Sequence, residues 1–450
     1  MSKQLFGTDG IRGVPGTYPL DDATLERVGA ALGLYLESEA SPASAKPRVL
    51  FGRDTRESGP HIEECIARGL ATSGVETVSA GVLTTPGVAW LVRNEGFAAG
   101  VVISASHNPY HDNGVKLVSS SGMKFSDAVE AQIEREILAQ SSRHSAASPR
   151  LRTDPKLDED YLDSLRADVL EGANLSSLKI VLDCANGAAS DLAPQLFRSL
   201  GAEVVAINVQ PDGRNINAGC GSLHPEGMQK KVAEAKANLG VAFDGDADRA
   251  IFSCAAGRIV NGDGVLLSMG RYMQAHGTLK GPAIVGTTMA NLGLERALEK
   301  TGLKLVRTDV GDRYVLEEMQ RSGANLGGEQ SGHILFLDDA TTGDGMLTAV
   351  KIASLVALEG PLASLVADLK IYPQIIVNVR VRSKPPLDTL PEVAALLAQS
   401  ARELGNSGRI VLRYSGTEPL ARVMVEAERD EDVHHWSEAL ASALHSSIGA

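Results

Sequence analysis

Cysteine is scarce in this chain. Cys65, Cys184, Cys220 and Cys254 are the only four in 450 residues, with no CxxC pair and no histidine spacing suited to zinc. That excludes a disulfide scaffold and a zinc knuckle, and it points to reduced thiols in a cytoplasm. Long apolar runs are also missing: nothing approaches the roughly 18 to 20 residues that span a bilayer. Residues 1–10, MSKQLFGTDG, lack the apolar centre of a signal peptide. The expectation is a soluble cytoplasmic chain, neither targeted nor anchored, with no membrane partner. Positive charge is in deficit, with 43 Lys and Arg against 56 Asp and Glu and a net charge of -13. Such a surface repels phosphate polymers, which argues against nucleic acid but leaves room for a cleft that concentrates Arg and Lys around a small anion. There is no P-loop, G-x-G-x-x-G fingerprint or H-E-x-x-H, so nucleotide-dependent kinase, dehydrogenase and zinc-protease readings lose their main support.

What is present reads as ordinary globular protein: 43% of residues are hydrophobic and 22% charged. A chain this long divides into about three or four domains. Three stretches share one design: a β-branched strand, a polar loop, an amphipathic helix, and a glycine leading into a second strand. They run RVLFGRDTRES…GVETVSAG from Arg48, KIVLDCANGAA…GAEVVAIN from Lys179, and AIVGTTMANLG…GLKLVRTDVG from Ala283. Each predicts a βαβ crossover, with Gly74, Gly201 and Gly302 as left-handed helix caps. Residues 140–155 read as a linker and 38–47 as a surface loop. From Ile371 the pattern becomes strand, helix, two strands and helix, a smaller α+β domain. The fold class expected is α/β: three related α/β domains with mixed sheets flanked by helices, plus that C-terminal domain, four domains around a central cleft. The boundaries expected are 1–152, 153–256, 257–369 and 370–450.

Chemistry concentrates in a few loops. DGDADR, residues 244–249, follows the apolar run LGVAF. In extended chain Asp244, Asp246 and Asp248 would point to one side, and three close carboxylates repel one another unless a cation holds them. Oxygen ligands suit magnesium. An EF-hand would need Gly in place of Arg249 and Glu in place of Ala255; a solvated Asp-Gly turn is the plainer alternative. In VVISASHNPYHDNGVK, residues 101–116, Ser106, His107 and Lys116 gather a hydroxyl, a proton acceptor and a cation, as phosphoryl transfer requires. By spacing alone, an N-cap serine with a solvent-facing histidine is the better reading. RYSGTEPLAR, residues 413–422, sets Ser415, Gly416 and Thr417 between Arg413 and Arg422, which suits a phosphate dianion as well as a plain turn. GGEQSGH, residues 327–333, brings Glu329, Ser331 and His333 together to bond sugar hydroxyls or an amine, or forms an exposed loop. FGTDGIRG, residues 6–13, sets Arg12 among glycines and by itself says little.

In this order, FGTDGIRG, SASHNP, DGDADR, GEQSGH and RYSGTEP resemble the α-D-phosphohexomutase superfamily across essentially the whole chain. The resemblance implies a phosphorylated Ser106 and one magnesium ion per subunit on Asp244, Asp246, Asp248 and the serine phosphate. It places Arg12, His107, Lys116 and Arg249 around the transferring group, Glu329, Ser331 and His333 on the sugar, and Arg413, Ser415, Gly416, Thr417 and Arg422 on the substrate's other phosphate. Gln330 in GEQSGH, together with INAGCGSLHPE at 216–226, resembles the branch acting on an amino-sugar phosphate. Mannose- and glucose-phosphate mutases are the rivals there, and a non-catalytic sugar-phosphate-binding protein or a metal-dependent phosphatase the rivals outside it. The reaction implied interconverts glucosamine 6-phosphate and glucosamine 1-phosphate through a 1,6-bisphosphate, feeding UDP-N-acetylglucosamine synthesis. Glucosamine or glucose 1,6-bisphosphate is the expected activator, and a kinase or autophosphorylation would first charge Ser106. A homodimer is one assembly this allows. CANGAAS, residues 184–190, departs from the Thr or Tyr that relatives more often carry after Gly-Ala.

Overall fold

The computed structural model describes residues 5–7, 9–39, 46–139, 151–154, 156–415 and 419–450. They form two compact units: Met1–Thr287 with Thr308–Val366, and Thr288–Arg307 with Ala367–Ala450.

The first unit holds mixed sheets flanked by helices, as expected. In the leading sheet the strands Arg48–Arg53, Glu76–Val82 and Ala99–Ile103 run parallel, and Asn113–Ser119 and Ile11–Gly13 are added antiparallel at one side. In the next, Lys179–Asp183 lies parallel to Glu203–Ile207 and Leu239–Phe243, and Ala250–Cys254 turns back antiparallel. A third pairs Ile284–Thr287 in parallel with Leu326–Gly328, with Ile334–Phe336 antiparallel beyond it. The runs AGVVI and LGVAF are buried at every position, which is why they read as continuous apolar stretches: helices cover both faces of these sheets. The first two crossovers follow the predicted design, while the helix of the third, Leu292–Glu299, falls in the second unit. Gly74, Gly201 and Gly302 take φ of 65°, 89° and 77°, a region open to glycine without steric cost.

The linker reading is modified. Residues 140–150 and Pro155 lie outside the described residues, but Arg152–Thr153 extends the leading sheet by pairing in parallel with Val78 and Ser79. Of the loop expected at 38–47, Ser38 and Glu39 belong to the helix Asp22–Glu39, and 40–45 lie outside the described residues.

The second unit is an antiparallel sheet in the order Gln374–Arg380, Leu420–Ala427, Gly408–Tyr414, with the helices Pro391–Leu404 and Asp430–Ile448. The helix Leu292–Glu299 groups here. Glu426 accepts from Leu292 N (3.0 Å) and ion-pairs with Arg409 Nε (2.6 Å), and Arg409 donates to the carbonyls of Thr288 and Ala290 (2.8 and 2.5 Å). Among the described residues, no helix is long and apolar enough to cross a membrane. The four cysteines are buried free thiols.

One buried joint inside the first unit titrates. Asp344 caps the helix Gly345–Glu359 through Leu347 N (2.9 Å) and accepts from the Tyr161 hydroxyl (2.8 Å). Burial pushes its carboxyl up to about 6 against those hydrogen bonds. The proton is therefore held more tightly in the folded than in the unfolded chain, so this contribution to stability is fully present below about pH 4 and is lost as pH rises through about 6, up to ~3 kcal/mol. Asp344→Asn, which keeps the cap and the acceptor, is expected to flatten that part of the stability profile, measured by urea unfolding between pH 4 and 7. An unchanged slope would contradict the assignment.

Candidate active site

The serine loop leaves the strand Ala99–Ile103 and is shaped by a residue 50 positions upstream. Arg56 is 1% exposed and donates to Asp54 Oδ2 (2.9 Å) and to the carbonyls of Ser106 (3.0 Å), Asn108 (2.8 Å), Asp112 (2.9 Å) and Pro109. One buried guanidinium thus spends its donors on holding a turn open. Asp54 also accepts from Ser104 Oγ (2.6 Å), which in turn accepts from Ser106 N (2.9 Å). Ser106 itself has φ of 50°. This rules out the N-cap alternative, which needs extended backbone, and stores about 1–3 kcal/mol of strain at the one residue expected to react. Its Oγ donates to Asp244 Oδ2 at 2.6 Å and lies 3.3 Å from His107 Nδ1.

Asp244 comes from the hairpin loop joining the strands Leu239–Phe243 and Ala250–Cys254. Extended chain does not gather the three aspartates, as the sequence suggested; the loop turns, with Ala247 at φ of 55°. The carboxylates of Asp244, Asp246 and Asp248 are buried, each with an oxygen within 4.8 Å of the others. Gly245 allows the approach, since a Cβ there would stand 2.6 Å from Ser106 O. The departing CANGAAS stretch packs on the same loop through Ala188 N to Gly245 O (2.8 Å). Asp246 Oδ2 accepts from Thr85 Oγ1 (2.6 Å) and Lys116 Nζ (3.0 Å). Asp246 Oδ1 and Asp248 Oδ1 are buried and accept no hydrogen bond, a costly state for carboxylate oxygens unless a cation takes them. These two oxygens, with one from Asp244 within 4.8 Å of them, fit a hard divalent cation.

Charge opposes charge around this triad. Burial and the neighbouring carboxylates of Asp248 and Asp246 push Asp244 well above the usual range. Against its own burial, Asp246 is held low by Lys116 and Thr85, and Lys116 is held high by Asp246, Asp9 and Asp248. His107 is pushed down by burial and by Arg249 and Arg12, which favours the neutral ring. Its Nδ1 lies 3.3 Å from Arg249 Nη1. Arg12 donates to Ala105 O (2.7 Å) and pairs with Asp9.

So the structure brings Arg12, Ser106, His107, Lys116, Asp244, Asp246, Asp248 and Arg249 into one cluster. It adds residues the sequence did not single out. Asp9 sits beside Lys116 (3.4 Å) and Lys124 (3.0 Å), and Lys124 reaches Asp312 (2.6 Å). Asn217, within INAGCGSLHPE, donates to Ser106 O (2.9 Å). An acidic and a basic residue two apart directly after a strand, Asp54 and Arg56, was the available signal for the clamp.

In the GEQSGH loop, Glu329 Oε1 accepts from Gly311 N (3.2 Å) and its charge acts on Arg249. Ser331 is exposed and His333 buried. Gln330 Nε2 donates to Asp263 Oδ2 (3.2 Å) and its main-chain carbonyl accepts from Gly262 N (3.1 Å), so side chain and backbone together anchor the loop here. In the second unit Arg413 and Arg422 stand directly opposite on adjacent strands, so two guanidinium groups share one face. Lys384 Nζ donates to the carbonyl of the buried Ser415 (2.6 Å). Gly416 and Thr417 lie outside the described residues.

Four descriptions of phosphoglucomutase/phosphomannomutase domains match the chain in order: alpha/beta/alpha domain I at residues 3–144, domain II at 159–257, domain III at 261–372 and the C-terminal domain at 376–443. The chain belongs to this family, the phosphohexomutases, and is a mutase, an enzyme of the isomerase class. It is 50% identical to the phosphoglucosamine mutase of Koribacter versatilis (strain Ellin345), covering 99% of this chain and 98% of that protein. It is 51% identical to that of Solibacter usitatus (strain Ellin6076), covering 100% of both. In fold it matches an Aspergillus fumigatus N-acetylphosphoglucosamine mutase solved in complex with GlcNAc-6P and magnesium, with a TM-score of 0.68, 18% identity and coverage of 100% of this chain and 96% of that one.

Arg56→Met is expected to destabilise the fold by about 3–5 kcal/mol, since it leaves the Asp54 charge buried without its partner. Urea unfolding measures this, and a cost below about 1 kcal/mol, the worth of an exposed pair, would contradict the clamp.

Proposed function

We propose that this chain interconverts glucosamine 6-phosphate and glucosamine 1-phosphate through phospho-Ser106 and a hexosamine 1,6-bisphosphate, supplying a cytoplasmic route to UDP-N-acetylglucosamine. The observation that carries this is Ser106 Oγ, 2.6 Å from Asp244 Oδ2 and 3.3 Å from His107 Nδ1, at a strained turn rimmed by Arg12, Lys116 and Arg249. Magnesium held by Asp244, Asp246 and Asp248 would supply positive charge to the phosphoryl oxygens when bound.

Arg12, Lys116 and Arg249 offset charge on the transferring group, which is most of what phosphoryl transfer asks of a protein. The bond from phosphorus to Ser106 Oγ breaks as a bond from phosphorus to a sugar hydroxyl oxygen forms. The proton from that hydroxyl ends on Ser106 Oγ, and His107, whose Nδ1 lies 3.3 Å from that oxygen, or Lys116 would carry it there. The return step runs the same events backwards from the sugar's other phosphate. Arg413, Ser415 and Arg422, with Gly416 and Thr417, would hold the phosphate that is not reacting, and Glu329, Ser331 and His333 the sugar. Glucosamine or glucose 1,6-bisphosphate would recharge enzyme that has lost its phosphate, after a first charging by a kinase or by autophosphorylation. The working division is 1–152 for the serine loop, 153–256 for the metal loop, 257–369 for the sugar loop and 370–450 for the distal phosphate.

A second reading, a glucose- or mannose-phosphate mutase, draws on one observation: Gln330, the residue that suggested the amino sugar, spends its amide on Asp263. Rates on the three sugar phosphates decide between them. kcat/KM for glucosamine phosphate is expected to exceed the others by at least about tenfold, the scale of one substituent's discrimination; a preference for glucose or mannose phosphate would overturn the amino-sugar reading. Ser106→Ala is expected to lose at least about 10⁴-fold in kcat with unchanged circular dichroism, and a wild-type rate would reject Ser106 as the carrier.

A further inference from the structure

A second set of metal-type donors lies apart from the aspartate triad, on the pair of helices Asp22–Glu39 and Gly59–Ala71. His61 and Cys65 are one helical turn apart and share a face, and Asp22 opens the neighbouring helix. His61 Nε2 lies 2.8 Å from Asp22 Oδ1 and 3.6 Å from Cys65 Sγ, and one donor atom from each of the three residues lies within 4.8 Å of the others. The helix backbones are locked together: a Cβ at Gly29 would stand 2.0 Å from Ile66 O, and one at Gly69 2.0 Å from Glu26 O. The three donors are therefore placed by backbone contact and not by side-chain reach alone.

We propose that Asp22, His61 and Cys65 bind a late first-row divalent cation such as Zn2+, in a site separate from the magnesium-type triad. The donor set decides the class: sulfur, imidazole nitrogen and one carboxylate suit zinc or cobalt, whereas magnesium takes oxygen ligands. The geometry agrees. Tetrahedral zinc with a Zn–S distance of about 2.3 Å and Zn–N of about 2.0–2.1 Å separates the sulfur and nitrogen by about 3.6 Å, the separation already present. The Asp22–His61 hydrogen bond would open by about half an ångström as the ion replaces its proton.

The surroundings support a bound dication. Arg68 Nη2 donates to Cys65 Sγ at 3.0 Å, favouring the thiolate, and is itself held by Glu26 (2.8 Å) and Glu64 (3.1 Å). With Asp22, Glu26 and Glu64 against one arginine, the local charge is negative before the thiol ionises. Burial pushes the Cys65 thiol up to about 11, so the ion must displace that proton, as metal binding to cysteine generally does. Asp22 and His61 are each 58% exposed, which gives an entry path and leaves a fourth ligand position to water. A histidine and a cysteine four apart carry none of the paired-cysteine spacing of zinc knuckles, so the sequence did not flag them.

The test uses the full-length protein stripped with chelator and held in excess Mg2+ to saturate the oxygen triad. Cobalt(II) is titrated as the probe. The expected result is one equivalent of a thiolate-to-cobalt charge-transfer band that Zn2+ bleaches. The band should vanish in Cys65→Ser, and affinity should weaken at least about tenfold in His61→Gln, an exposed position that does not endanger folding. No band in the wild type, a band that survives Cys65→Ser, or unchanged affinity in His61→Gln would each overturn the site.

Discussion

The hydrogen bond from Ser106 Oγ to Asp244 Oδ2, 2.6 Å long and buried, is the interaction on which the rest of the site depends. It ties a loop of the leading sheet to a hairpin of the next one. Three supports bring those two atoms together. Arg56 fills the space beneath the serine turn with donors, Gly245 removes the side chain that would keep the loops apart, and Asn217 adds a third support on the Ser106 carbonyl. The strain in Ser106 persists because these contacts over-determine it.

Charge then sets what the cluster can do. Carboxylates from Asp9, Asp244, Asp246 and Asp248 face Lys116, Arg12 and Arg249 in a water-poor setting, where each interaction is stronger than at the surface. Neither sign dominates. Such a balance is suited to a group that arrives and leaves as a dianion, since its charge can be met by cations already in place instead of by reorganising solvent. Lys124, bridging Asp9 and Asp312 at 3.0 and 2.6 Å, extends the network to the helix Asp312–Ser322, whose preceding residue Gly311 donates to Glu329 (3.2 Å).

Much of the fold was legible because buried parallel strands announce themselves as β-branched runs and their crossovers as helices ending in glycine. The aspartate triad was legible from composition, but for an incomplete reason: the pleat of a strand was expected to align the three carboxylates, and a turn at Ala247 does so instead. Ser106 was legible only in company. Its left-handed backbone and its support from Arg56 arise from residues 50 positions apart, which no local pattern reveals. The same holds for Asp9, Lys124 and Asp312, each an ordinary surface-type residue until three segments converge. Grouping of the helix Leu292–Glu299 with the C-terminal unit rests on Glu426 and Arg409, more than a hundred positions away.

The most direct measurement follows the phosphate itself. Enzyme charged from an isotopically labelled hexose 1,6-bisphosphate would be mixed with unlabelled glucosamine 6-phosphate, quenched within one turnover and mapped by mass spectrometry. Label is expected on the Ser106 peptide at the start and in the sugar bisphosphate or product after a single turnover, with an unlabelled phosphate then on Ser106. Full turnover by enzyme in which Ser106 never carries a phosphate would contradict the central claim.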